Sequence, residues 1–296
     1  MGLESIYRPV EDTLEQVRRE LRRQAEGLAE HYGALAENHT YLKDMVDHLS
    51  DQGKLLRPAL VVLSSRSAGA GADEPGVVQT AAAVELVHSA SLVHDDIIDG
   101  ADYRARAGRS QVAFHRRFGT HAAVLVGDIL YAQFFSLLTA LEVSAPRRIT
   151  LLGRFCATTK RMCQCELFQQ GVQGYDVEPR ESEYLQIIEG KTAALMSACC
   201  HAGAVLAGQD EADQLYSDFG LYFGLAFQLI DDYLDGDVAY VSRPTLKQRA
   251  QQNGGRARDL VEAMPQNAFT DALSQLLDYV LQRPATEPVQ PGAVSR

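Results

Sequence analysis

The chain's 296 residues, 46% hydrophobic and 23% charged, supply enough apolar material for a large core and exclude a disordered polymer. A formal net charge of −11 excludes a nucleic-acid partner held by a basic field, but not an anionic substrate bridged to acidic side chains by metal ions. No run of about 18 apolar residues is free of charges or breakers, and Met1-Gly2-Leu3-Glu4-Ser5 is no secretory start, so neither a transmembrane segment nor a signal is expected and the cytoplasm is.

Apolar residues recur at helical spacing nearly throughout, and strand-like alternation bounded by turns is absent, which predicts an all-α protein. Helices are expected near 9–31, 40–49, 54–68, 76–99, 120–142, 146–172, 181–207, 209–235, 243–264 and 267–282. Gly69 to Gly76 with Pro75, Gly171 to Pro179, and Gly254-Gly255 read as loops. Residues 1–282 are expected to form a single domain, and 283–296, with three prolines and no apolar pattern, a disordered tail. Long helices on short loops make a bundle, and bundles build ligand sites from facing helices. Gly220 and Gly224, four apart, predict a close helix crossing. The five cysteines, Cys156, Cys163, Cys165, Cys199 and Cys200, read as reduced packing residues; Cys163 and Cys165, two apart on a helix, cannot share a metal.

Two acidic clusters repeat one spacing, Asp-Asp-x-x-Asp: Asp95-Asp96-Ile97-Ile98-Asp99 and Asp231-Asp232-Tyr233-Leu234-Asp235. Each follows an almost uncharged stretch that reads as a buried helix, so the carboxylates sit at helix C-termini, where anions are disfavoured. Positions i and i+4 share a face, and two like charges about 4 Å apart repel by roughly 4 kcal/mol at an effective dielectric near 20. A hard divalent cation resolves this, most commonly Mg²⁺ held by one or two carboxylates plus substrate phosphates.

Basic residues lie near the acids in sequence. Lys54 and Arg57 are three apart near the start of a helix, either a solvated surface pair or a place for an anion. His88 lies two turns before Asp95, as a core histidine or as a ligand. Arg104, Arg106 and Arg109 follow the first cluster and suit bidentate phosphate binding. Lys191-Thr192 interrupts a helical pattern, and Gln228 stands one turn before Asp232.

With these pieces in order, the chain resembles the trans-type (E-)polyprenyl diphosphate synthases over about residues 30–282. The matching motifs are Gly-Lys-x-x-Arg-Pro at 53–58, Glu85-Leu-Val-His88, the aspartates at 95–99, Val126-Gly127-Asp128, Glu166-x-x-Gln169, Lys191-Thr192 and Phe227-Gln-x-x-Asp231-Asp232-x-x-Asp235. The resemblance implies an isoprenoid synthase helical bundle around a central cavity, usually a homodimer, with Mg²⁺ usually three per site. It implies that Asp95, Asp96, Asp99, Asp231, Asp232 and Asp235 bind Mg²⁺, and that Lys54, Arg57 and His88 hold isopentenyl diphosphate. Arg104, Arg106, Lys191, Thr192 and Gln228 are implied to hold or face an allylic prenyl diphosphate.

Two departures stand out. Where the family has two adjacent arginines, this chain reads Arg104-Ala105-Arg106-Ala107-Gly108-Arg109, with Arg106 as the stand-in for the second. The lysine-bearing loop after the second motif is missing, and Lys247 is the candidate substitute.

The implied reaction is head-to-tail condensation begun by metal-assisted loss of diphosphate, with the product handed to a membrane. Below Asp95 stand the small Ala90 and Ser91, where short-chain members often carry an aromatic, so the product is expected to exceed farnesyl, geranylgeranyl at least and in the heptaprenyl-to-octaprenyl range foremost, with Phe135 as the candidate cavity floor. Competing readings are a non-catalytic subunit of a heteromeric synthase and a class I terpene cyclase, the latter opposed by the Asp-Asp-x-x-Asp form of the second motif.

Overall fold

A computed structural model of the protein describes residues 2–30, 53–71, 74, 76–106, 109–174, 179–209, 213–236 and 241–283. In chain order these form α1 (Leu3–Tyr7), a 3₁₀ turn (Arg8–Val10), α2 (Glu11–Glu30), α3 (Leu56–Ser67), α4 (Val77–Ile98) and a hairpin of β1 (Tyr103–Arg106) and β2 (Arg109–Val112). There follow α5 (Phe114–Phe118), α6 (Thr120–Thr139), α7 (Ala145–Gly174), α8 (Glu181–Ile188), a π turn (Glu189–Ala193), α9 (Ala194–Leu206), α10 (Asp213–Asp235), α11 (Arg243–Glu262) and α12 (Ala268–Leu281). The helix expected at 40–49 and the tail expected at 283–296, apart from Arg283, lie outside the described residues.

The result is the all-α bundle that the helical periodicity predicts, with specific corrections. One antiparallel pair does form, Tyr103 opposite Val112 and Arg106 opposite Arg109. Its alternation is too short to register as a strand pattern. Gly254-Gly255 is not a loop but lies within α11. A Cβ at Gly254 would come 2.7 Å from Leu281 Cδ1, so the glycine admits the α12 side chain rather than ending the helix. Gly171 likewise lies inside α7, which runs on to Gly174. The single helix expected at 181–207 is interrupted by the π turn.

α9, mostly apolar, and α3, despite its Arg66 and serines, are buried along nearly their whole length at the centre of the main core. Helices that are hydrophobic all round belong inside a large protein. α4 lies beside α3 and packs against α6, while α10 crosses α9 and backs onto α11. The crossing of α9 and α10 is as close as the glycine pair predicts: a Cβ at Gly220 would lie 2.6 Å from Met196 O, and one at Gly224 2.6 Å from Ala193 Cα. A smaller core of Tyr184, Ile188, Leu225, Leu229, Val241 and Leu246 sits beneath the second acidic cluster. By length and composition α6 could cross a membrane. Here its Ala123, Val126, Leu130, Phe134 and Leu138 are buried in the main core, and the helix packs on α4.

Candidate active site

Both acidic clusters end a helix. α4 stops at Ile98 with Asp99 as its cap, the Asp99 N–H donating to Asp95 O at 2.8 Å, and α10 stops at Asp235. Asp96 is buried, Asp95 half-buried and Asp99 exposed, so the three carboxylates meet very different surroundings. Asp95 opens onto a cavity of about 340 Å³ walled by Ser91 of α4, Tyr131 of α6, Met162, Cys163, Glu166 and Leu167 of α7, and Lys191.

Lys191 reaches that cavity because it stands in the π turn, a wide turn rare in helices and concentrated at functional sites. Its ammonium pairs with Glu166 and donates to Gln169 Oε1 at 3.0 Å. The next residue serves the second cluster: Thr192 Oγ1 donates to Gln228 Oε1 at 2.8 Å, and Gln228 Nε2 donates to Asp232 Oδ1 at 2.9 Å. The other oxygen of Asp232 accepts from the Tyr184 hydroxyl. A hydrogen-bonded chain thus runs to the second acidic cluster from Thr192, the residue next to the cavity cation.

Asp231 is engaged differently. It pairs with Arg283, just past the end of α12, whose guanidinium carbon lies 5.6 Å from the centroid of the Phe227 ring. Burial pushes the Asp231 carboxyl above its usual range; Arg283 pulls it back down, and Asp235 and Asp232 push it up again.

Arg57 lies near enough to Asp231 for that carboxylate to act on it. Its Nε is buried without a hydrogen-bond partner among the described residues, and burial pulls the guanidinium below its ordinary value while Glu85 and Asp231 pull it up. An orphaned buried donor of this kind is expensive unless something polar completes it. The segment enters α3 through Leu55, the only described non-glycine residue with positive φ, at 49°. Left-handed backbone costs a branched residue about 1–2 kcal/mol, and burial of the Leu55 side chain offsets it. Lys54 is exposed and His88 half-buried. Gly127 is where His94 packs: a Cβ there would stand 2.0 Å from His94 Nε2, which lies 3.2 Å from Val124 O.

The sequence model of the family described as polyprenyl synthetase matches residues 39–243, more than two thirds of the chain. The chain belongs to that family. It is 32% identical over 260 residues to the octaprenyl diphosphate synthase of Haemophilus influenzae, covering 79% of this chain and 75% of that one. It is 36% identical over 188 residues to the geranylgeranyl diphosphate synthase of Methanosarcina mazei, covering 62% of this chain and 55% of that one. Among solved structures, the polyprenyl synthase of Caulobacter crescentus, complexed with calcium and isoprenyl diphosphate, superposes with a TM-score of 0.79 at 25% identity, covering 95% of this chain and 98% of that one.

The polyprenyl synthetase match stops at Arg243. Arg243 donates to Tyr233 O at 2.8 Å and lies 5.0 Å over the Tyr233 ring, with Lys247 at 6.0 Å from the same ring. Arg104 and Arg106 lie on the backbone of β1, and their side chains are outside the described set. Ala90 is fully buried in the main core. Phe135 packs edge-on against Phe134 at 4.7 Å and does not line the cavity; Tyr131, one turn earlier, does. Tyr131, Tyr184 and Arg283 carry no local sequence signal, since each acts on a partner from another helix.

Proposed function

We propose that the chain is a trans-prenyltransferase that condenses isopentenyl diphosphate head-to-tail with an allylic diphosphate, giving an all-trans polyprenyl diphosphate longer than farnesyl. The observation that carries this is the adjacency of Lys191, in a cavity that also receives Asp95, to Thr192, from which hydrogen bonds run through Gln228 to Asp232. The relatives are named as synthases, which favours an active chain over a non-catalytic subunit.

The donor set fits Mg²⁺. Six carboxylates offer hard oxygen ligands, yet among the described residues no three acidic, histidine or cysteine groups converge into a ready chelate. That suits an ion that keeps water and takes substrate phosphate oxygens as ligands. Asp95, Asp96, Asp99, Asp231, Asp232 and Asp235 are the residues to hold it, and what it supplies when bound is neutralisation of the leaving diphosphate.

The chain's own groups do the rest. Lys191, its ammonium fixed by Glu166 and Gln169, anchors the allylic diphosphate. The fixed dipoles of Thr192 and Gln228 face positive charge developing at the allylic carbon, without reorganising as it forms. Arg57, with Lys54 and His88, holds isopentenyl diphosphate, whose oxygens complete the orphaned Nε. The apolar wall of Met162, Leu167 and Tyr131 keeps water from the cation. Ser91 leaves room for the growing chain, and Tyr131, with Phe135 behind it, bounds the depth.

Residues 1–282 act as one domain, as a homodimer joined on the face of α6 and α7 where Val124, Leu125, Ile149, Leu167 and Phe168 are exposed. Five free thiols suit the reducing cytoplasm. Each added prenyl unit raises the product's affinity for lipid, which sends it to a membrane. Incubating the purified chain with Mg²⁺, labelled isopentenyl diphosphate and each of dimethylallyl, geranyl and farnesyl diphosphates, then resolving the products, tests the proposal. No turnover, or a farnesyl endpoint, overturns it.

A further inference from the structure

Of the two aspartates that open the second cluster, one is held by a phenol and an amide and the other by a cation. That cation comes from beyond the stretch that the family match covers. Arg283 and Asp231 have side chains 26% and 24% exposed, so their pairing is sheltered from water on most sides. The guanidinium also lies over Phe227, which precedes Asp231 by one helical turn on α10. Ring and carboxylate therefore form a slot on one face of the helix, matched to a planar cation. Asp232 and Asp235 add negative charge to the same point. The sequence lacks a lysine-bearing loop after this cluster, and Arg283 delivers a positive charge to it from the far end of α12 instead.

We propose that Arg283 is a positioning residue that occupies Asp231 in the metal-free protein and must be displaced from it for a divalent cation to bind there. This rests on the reading of the second cluster as a metal site. Two cations competing for one carboxylate make occupancy a choice: the ion takes Asp231 and frees the guanidinium, or Arg283 keeps it and tethers the end of α12. Binding at the first cluster, which Arg283 does not touch, is outside this competition.

The test is Mn²⁺ binding followed by electron paramagnetic resonance, with and without inorganic pyrophosphate, on the full chain, with a circular-dichroism melt to check folding. Arg283→Gln is expected to bind Mn²⁺ about threefold to tenfold more tightly than the unaltered protein, the range that a partly sheltered ion pair spans. Arg283→Lys, which keeps the charge without the planar fork, is expected between the two, and it carries the test if Arg283→Gln does not fold. In an Asp231→Asn background the Arg283→Gln gain disappears. Equal or weaker affinity in folded Arg283→Gln, or the same gain without Asp231, overturns the proposal. Absence of Mn²⁺ binding in every variant, even with pyrophosphate, removes the metal reading of the cluster and this proposal with it.

Discussion

Replacing Gly224 by alanine tests whether the closeness of α10 to the π turn is what holds the polar chain together. The added Cβ would lie 2.6 Å from Ala193 Cα and 3.0 Å from Ala193 Cβ. Carbon atoms pack at about 3.5–4.0 Å, so the two elements must separate by about 1 Å. Thr192 Oγ1 and Gln228 Oε1, now 2.8 Å apart, then stand about 3.8 Å apart, which is no longer a hydrogen bond. Overpacking costs about 1–3 kcal/mol and removing a helical glycine returns about 0.5–1 kcal/mol, leaving a net loss of up to about 2.5 kcal/mol. A displacement of this size at a reacting centre lowers turnover by about 10²-fold. Urea unfolding gives the first quantity, and single-turnover incorporation of labelled isopentenyl diphosphate the second. Gly255→Ala is the control: nothing lies within 4 Å of its Cβ, so it should gain about 0.5–1 kcal/mol and keep full turnover. A Gly224→Ala protein with the unaltered midpoint and rate would refute the reasoning, and one that is destabilised but fully active would break the link between helix spacing and chemistry.

Other consequences are open to direct measurement. Tyr184→Phe removes a donor to Asp232 and should raise the Mg²⁺ concentration for half-maximal rate by about threefold to tenfold, while the melting temperature moves little. Tyr131→Ala should lengthen the product, read by chromatography, more than Phe135→Ala does, because only Tyr131 lines the cavity. Maleimide at pH 8 should label the exposed Cys156 and Cys163 in the native protein and spare Cys200, whose thiol burial pushes up to about 12, so almost none of it is thiolate. Farnesyl diphosphate with Mg²⁺ should protect Cys163 alone, since it alone of the two exposed thiols faces the cavity. Arg154→Ala should cost about 2–3 kcal/mol in urea unfolding with activity retained in the folded fraction, because Arg154 donates to Ser197 and Ser217 at 2.7 and 2.8 Å, away from the cavity.

The parts of this molecule legible in the sequence are those set by near neighbours along the chain. The aspartate spacing, the buried character of α4 and α10, and the Gly220-Gly224 notch are all i,i+4 relations, and each appears where the pattern puts it. What stayed hidden depends on distant partners. Gly254 reads as a breaker until Leu281 is seen filling the space beside it. The Tyr184 phenol meets Asp232 across 48 residues, and Arg283 meets Asp231 across 52, with no periodicity linking either pair. The break in helical pattern at Lys191-Thr192 is legible, but its form as a π turn is not, because packing against α7 and α10 selects the wider turn.

That wider form has a consequence for altering the chain. A π turn closes i→i+5 bonds where an α turn closes i→i+4, so it holds one residue more for nearly the same rotation, and deleting one position between Glu189 and Ala193 would leave a plain α turn with α9 still in phase with α8. Every side chain of α9 after Ala194 is buried, leaving no solvent-facing side to absorb a change of phase. The five residues therefore work as a joint that stores one extra residue without turning α9, so a deletion there should cost the placement of Lys191 and Thr192 rather than the packing of the bundle.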